Sequence, residues 1–151
     1  LRQRIECDEP GKWGPAVRTL LLKLPFTSMN GTLKILTVDD QPSITESMRF
    51  IFPSPKYEVT GAQSGDDALE KLEAKPHAFD VIIIDQKMPH LSGVELVEEI
   101  RRRQFTGRIM VLSAHLTPEI RAAYEEMNVQ LVLEKPFDIQ ELRLALDRLA
   151  A

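Results

Sequence analysis

Asp39-Asp40, Asp85, Ser113 and Lys135 are polar residues that would form a reactive cluster if they met. Carboxylates brought close repel one another, and a hard divalent cation with oxygen ligands relieves that repulsion. A single carboxylate delivered to the carboxyl end of a buried strand also lies where open α/β sheets place their reactive centres. Singly, each signal is weak. An acidic pair after a strand can simply cap a helix, and a lysine before a proline is usually a solvated surface charge. The joint pattern carries weight only if the chain brings these residues together.

The elements that must do so begin at residue 33. Residues 33–38 read as a strand ending at Asp39-Asp40, and Gln41-Pro42-Ser43 starts a helix to about Phe52, because proline suits a first turn. Ile44, Met48, Ile51 and Phe52 share a face at helical spacing, and Pro53 and Pro55 stop the helix. Residues 57–60 are a short second strand. Ser64-Gly65-Asp66-Asp67 leads into a helix with Ala68, Leu69 and Leu72 inward. Residues 79–84 follow as a strand. Its β-branched run Val81-Ile82-Ile83-Ile84 predicts burial on both faces and delivers Asp85 to the carboxyl end.

Ser92 caps a helix to about Arg103, with Leu96, Val97 and Ile100 inward. Residues 108–112 form a fourth strand ending at Ser113, and Thr117-Pro118-Glu119 starts a helix to about Met127. Residues 130–133 form a fifth strand ending near Lys135-Pro136. Asp138 caps a last helix with Ile139, Leu142, Leu146 and Leu149 on one face. Five β/α units of this length predict right-handed crossovers and a parallel, doubly wound α/β sheet. In such a sheet the strand ends share one edge, so the polar residues converge.

Composition narrows the function. The 151 residues carry net charge −4, divided as +2 over residues 1–32 and −6 over residues 33–151. An acidic body argues against nucleic-acid binding through phosphate neutralisation. No apolar run approaches the ~20 residues that span a bilayer. A single cysteine, Cys7, excludes an internal disulfide framework and fits a reducing compartment.

Asp39-Asp40, then Asp85-Gln86-Lys87-Met88-Pro89-His90-Leu91-Ser92-Gly93, Leu112-Ser113-Ala114 and Lys135-Pro136-Phe137 match in order and strand placement. Over residues 33–151 the chain resembles the receiver domain of two-component response regulators, the CheY-like family. The resemblance implies a flavodoxin-like (βα)5 fold with strand order 2-1-3-4-5. It implies that Asp85 accepts a phosphoryl group from a sensor histidine kinase or phosphotransfer protein. Mg²⁺, for which Mn²⁺ could substitute, would be held by Asp40 and Asp85, by Asp39 through water and by the main-chain carbonyl of Lys87. Lys135 and Ser113 would meet phosphoryl oxygens, and the small Ala114 would leave room for phosphate. The Lys135-Pro136 bond would be cis, an isomer accessible before proline. Lys87 and His115 would tune hydrolysis of the acyl phosphate. A downstream protein would read the face of the fourth helix, fifth strand and fifth helix.

Val132 departs from the pattern, since many relatives carry an aromatic switch residue there; valine that merely packs in its strand is an equal reading. Tyr124 lies on the fourth helix with no role assigned. Gly93 reads as a tight backbone turn in preference to a crowded contact. Arg101-Arg102-Arg103 reads as a solvated last helical turn suited to the dipole. His77 and His90 read as surface loop residues.

Residues 1–32 read as an extension, flexible or expression-derived, with one short helix at most over residues 16–24 and Met29 as a natural start. Alternatively they form a docking arm. The chain reads as a cytoplasmic signalling switch and not an enzyme acting on other substrates, either free-standing or taken from a longer regulator or hybrid kinase. One rival is a receiver-like interaction module that phosphorylation does not control. Another is an aspartyl-phosphate phosphatase, which needs an acid/base carboxylate where Lys87 stands.

Overall fold

The computed structural model describes residues 7–9, 12–13 and 31–150. Cys7–Glu9 pairs antiparallel with Lys12–Trp13. The helix expected over residues 16–24 lies outside the described residues.

Five parallel strands form the main sheet: β1 Leu33–Val38, β2 Tyr57–Ala62, β3 Val81–Asp85, β4 Arg108–Ser113 and β5 Leu131–Glu134. Their order is β2-β1-β3-β4-β5, as expected. The connecting helices are α1 Pro42–Ile51, α2 Gly65–Ala74, α3 Gly93–Arg102, α4 Pro118–Glu126 and α5 Ile139–Ala150. Chain direction across the sheet reverses at β1, which opens a crevice beyond the carboxyl ends of β1 and β3.

Alternation along the strands makes two cores. Leu33, Ile35, Val81, Ile83, Met110, Leu112, Leu131 and Leu133 pack under α1 and α5. Leu36, Val38, Ile82, Ile84, Ile109 and Val111 pack under α2, α3 and α4. Every residue of β3 is buried, so the β-branched run fills both layers. Burying each such side chain stabilises the fold by roughly 1.5–3 kcal/mol.

Helix starts follow the capping residues. The Ser64 side chain accepts from Asp67 N–H, and the Thr117 side chain accepts from Ile120 N–H. Ser92 and Glu95 form a reciprocal capping box at α3, and Asp138 and Glu141 do the same at α5.

Some boundaries differ from expectation. β2 continues two residues beyond Thr60, because Gly61 and Ala62 keep pairing with Thr37 and Val38. β3 begins at Val81 rather than Phe79; Asp80 instead closes the sheet's lower edge, its carboxylate accepting from Lys34 N–H at 2.9 Å. β5 runs one residue later than expected. Ile139, expected inward, is 53% exposed. Side chains lean toward a helix's N-terminus, so the first residue of α5 leans past its end; the buried stripe starts at Leu142.

Arg101 also differs: it is not solvated. Its guanidinium donates to the carbonyls of Met127 at 2.9 Å, Asn128 at 2.9 Å, Phe105 at 3.0 Å and Gly107 at 3.4 Å, and to Gln130 Oε1 at 3.5 Å. Arg102 and Arg103 instead pair with Glu99.

Candidate functional site

Register sets the site. Val38 pairs with Ile84, so Asp39 and Asp85 take adjacent positions where β1 and β3 end. Asp39 is 6% exposed, Asp85 is 8% exposed, and Asp40 is open to solvent. One carboxylate oxygen from each of the three lies within 4.8 Å of the others.

One cation and one backbone N–H answer this charge. Asp39 Oδ1 accepts from Gln41 N–H at 2.9 Å. Lys135 Nζ donates to Asp85 Oδ1 at 3.1 Å. Burial holds the Asp39 carboxyl above its ordinary value, and the charges of Asp85 and Asp40 push the same way. The Gln41 bond and Lys135 oppose that shift. Oxygen-only donors that repel one another suit a hard divalent cation, so the residues present fit Mg²⁺.

The neighbouring strands complete the edge. Asp85 pairs with Leu112, which puts Ser113 one residue beyond it on β4. Ser113 is fully buried, and its Oγ accepts from His115 N–H at 3.3 Å. Lys135 N–H donates to the Ser113 carbonyl at 2.8 Å, tying the end of β5 to the end of β4. The Lys135-Pro136 peptide is cis, as is Ser54-Pro55. Ala114, His115 and Lys87 are exposed around this edge.

The loop after Asp85 is pinned by its backbone. Gln86 N–H donates to the Leu112 carbonyl at 2.9 Å, and Gly93 N–H donates to the Gln86 carbonyl at 3.0 Å. Met88 is buried beneath it, while His90 is exposed at φ 68°. Gly93 has no left-handed backbone; Gly31 is the one glycine with positive φ among the described residues. The crowded contact is therefore its reason: an added Cβ would lie 2.9 Å from Gln86 Cα. The turn reading is corrected.

Sequence reasoning gave Tyr124 and Gln86 no role. Tyr124 is 1% exposed, and its hydroxyl and Gln86 Oε1 are both buried without a hydrogen-bond partner among the described residues. The available signal was Tyr124's place with Ile120 and Met127 on the inward face of α4, where a polar tip must find a partner. Val132 is half-buried and packs on the same side of the sheet.

Comparison with known proteins agrees with this fold. The family model for the response regulator receiver domain matches residues 35–147. The chain is 31% identical over 110 residues to the Bacillus subtilis alkaline phosphatase synthesis transcriptional regulatory protein PhoP, covering 72% of this chain and 45% of that protein. It is 32% identical over 113 residues to the Vibrio parahaemolyticus autoinducer 2 sensor kinase/phosphatase LuxQ, covering 74% of this chain and 13% of that protein. The chain thus spans less than half the length of these relatives. Among solved structures, Vibrio cholerae chemotaxis protein CheY4 is 32% identical with a TM-score of 0.70, over 78% of this chain and 98% of that one. A Clostridium thermocellum response regulator receiver domain protein is 27% identical with a TM-score of 0.71, over 78% and 94%. No helix among the described residues is long and apolar enough to cross a membrane.

Proposed function

The chain belongs to the response regulator receiver domain family, and from that premise we propose that it is a phosphorylation-controlled switch whose phosphoacceptor is Asp85. The observation that carries the proposal is the meeting of Asp85, two further carboxylates and Lys135 at one sheet edge.

Asp85 attacks the phosphorus of a phosphohistidine on a sensor kinase or phosphotransfer protein. A P–O bond to the Asp85 carboxylate forms and the P–N bond breaks, its electron pair returning to the imidazole nitrogen. Asp40 and Asp85 would hold Mg²⁺ or Mn²⁺, aided by Asp39 and the Lys87 main-chain carbonyl. When bound, the ion offsets the charge on the phosphoryl oxygens. Lys135, now paired with Asp85, follows the charge onto a phosphoryl oxygen. The Ser113 hydroxyl donates to another oxygen and draws the β4–α4 loop toward the site. Exposed Ala114 leaves the approach open. Lys87 and His115 stand where they can influence attack by water on the acyl phosphate.

The product is a more negative site that biases the loop and the face of α4, β5 and α5, and an effector protein reads that face. We assign the receiver to residues 33–151, treat residues 1–32 as an extension, and place the protein in the cytoplasm.

The test is incubation with Mg²⁺ and acetyl phosphate followed by intact-mass measurement. The expected result is a gain of one phosphoryl group that Asp85→Asn abolishes. No gain, or a gain that survives Asp85→Asn, would return the chain to the class of receiver-like modules that phosphorylation does not control. Rapid multiple turnover of a phosphate ester would favour a phosphatase.

A further inference from the structure

Two buried oxygens without partners meet at one point of the fold. That point is Gly93, the first residue of α3: a Cβ placed there would lie 2.7 Å from Tyr124 OH and 2.8 Å from Gln86 Oε1. Neither oxygen makes a hydrogen bond among the described residues. Leaving a buried polar atom unpaired is destabilising, and these two are complementary. The amide oxygen can only accept. Burial, and then the negative charge of Asp85, hold the Tyr124 phenol well above its ordinary value, so it stays a donor.

The two side chains sit on the parts that phosphorylation would move relative to each other. Gln86 directly follows Asp85, with its backbone fixed to β4 at Leu112 and to α3 at Gly93. Tyr124 belongs to α4, whose cap Thr117 lies four residues after Ser113. A pull on Ser113 therefore reaches α4 through a short loop, while Gln86 stays anchored. The other described tyrosine, Tyr57, is committed elsewhere: it donates to Asp147 at 2.8 Å and packs in the opposite core.

We propose that Tyr124 and Gln86 form the contact by which α4 reads the state of Asp85: the hydroxyl donates to Gln86 Oε1 once Asp85 is phosphorylated, and the two stand unbonded in the resting chain. The proposal rests on Asp85 being the phosphoacceptor. Tyr124 and Gln86 are positioning residues and touch no reacting atom. The paired state satisfies two buried atoms at once, which gives α4 two discrete arrangements instead of a graded drift.

The experiment uses the full chain with Mg²⁺, followed by amide NMR before and after acetyl phosphate, with intact mass measured on the same samples. In the wild type, phosphorylation shifts the amides of residues 119–126. Tyr124→Phe keeps the ring and removes only the hydroxyl. Gln86→Leu removes only the acceptor. Each still gains one phosphoryl group, and each loses at least half of the α4 shifts. The double variant loses no more than either single one. Wild-type α4 shifts in both single variants, with the mass gain intact, would overturn the Tyr124–Gln86 contact and leave the phosphoacceptor standing. Additive losses in the double variant would overturn it as well, since partners in one bond cannot lose it twice. A wild type with no mass gain removes both readings together.

Discussion

Lys135 Nζ lies 3.1 Å from Asp85 Oδ1, although the two residues are 50 positions apart. The pairing follows from strand order: β3 and β5 flank β4, and Lys135 N–H is bonded to the Ser113 carbonyl at the end of β4. In the resting chain the ammonium compensates a carboxylate next to two others. It therefore stands within reach of any group that Asp85 acquires.

Lys135→Met removes that charge at similar length. Phosphorylation of Asp85 by acetyl phosphate is expected to slow by roughly ten- to a hundredfold, less than for a donor in a water-excluded site because Lys135 is partly exposed. Time-resolved intact mass reads the rate. An unchanged rate would remove Lys135 from the phosphoryl site.

The carboxylate cluster makes a pH prediction. The folded-state pKa of Asp39 is raised, first by burial and then by Asp85 and Asp40. The native state therefore binds more protons than the unfolded chain between the ordinary value of 3.8 and that raised value. Ionised Asp39 weakens the fold above its folded pKa, and the weakening fades as pH falls through it. Asn at this position keeps an acceptor for Gln41 N–H. In EDTA at neutral pH, Asp39→Asn should melt above the wild type, and the gap should close as pH falls toward 3.8. Millimolar Mg²⁺ should raise the wild-type Tm more than that of the variant. Melting curves with and without the ion decide this.

Arg101 is a stability determinant far from the chemistry. Its guanidinium serves five acceptors drawn from the ends of α3 and α4 and the segments entering β4 and β5. Arg101→Met strands those acceptors, and a loss of about 2–4 kcal/mol is expected in urea unfolding. A loss below about 0.5 kcal/mol would mean that water replaces the guanidinium at little cost.

Gly61 sits where a Cβ would collide with the Thr45 γ-methyl of α1. Gly61→Ala should cost about 1–3 kcal/mol by overpacking. Adding Thr45→Ser, which deletes that methyl, should recover most of the loss. Additive effects in the double variant would refute the clash.

Most of the fold was legible because its signals are local. Val81 to Ile84 announced a strand buried on both sides, and Ser64, Ser92 and Thr117 announced helix starts through bonds made within three residues. Ile139 misled because periodicity places a residue on a face without saying where the helix end stands. Arg101 looked like a solvated charge because its partners lie up to 29 positions away. Gly93 was assigned to a turn when its neighbours in space, the backbone of Gln86 and the hydroxyl of Tyr124 on another helix, are what leave no room for a Cβ.

By itself the sequence determined the five β/α units and the polar residue closing each of four strands, since periods of two and 3.6 and capping residues are written in contiguous stretches. It also determined that Asp85 would follow a fully apolar strand. Tertiary structure alone decided that Asp39 and Asp85 end side by side, that Lys135 reaches Asp85, and that Tyr124 and Gln86 meet unbonded above Gly93. Those distances depend on register between strands and on packing between helices, which arise from the whole core at once and from no single segment.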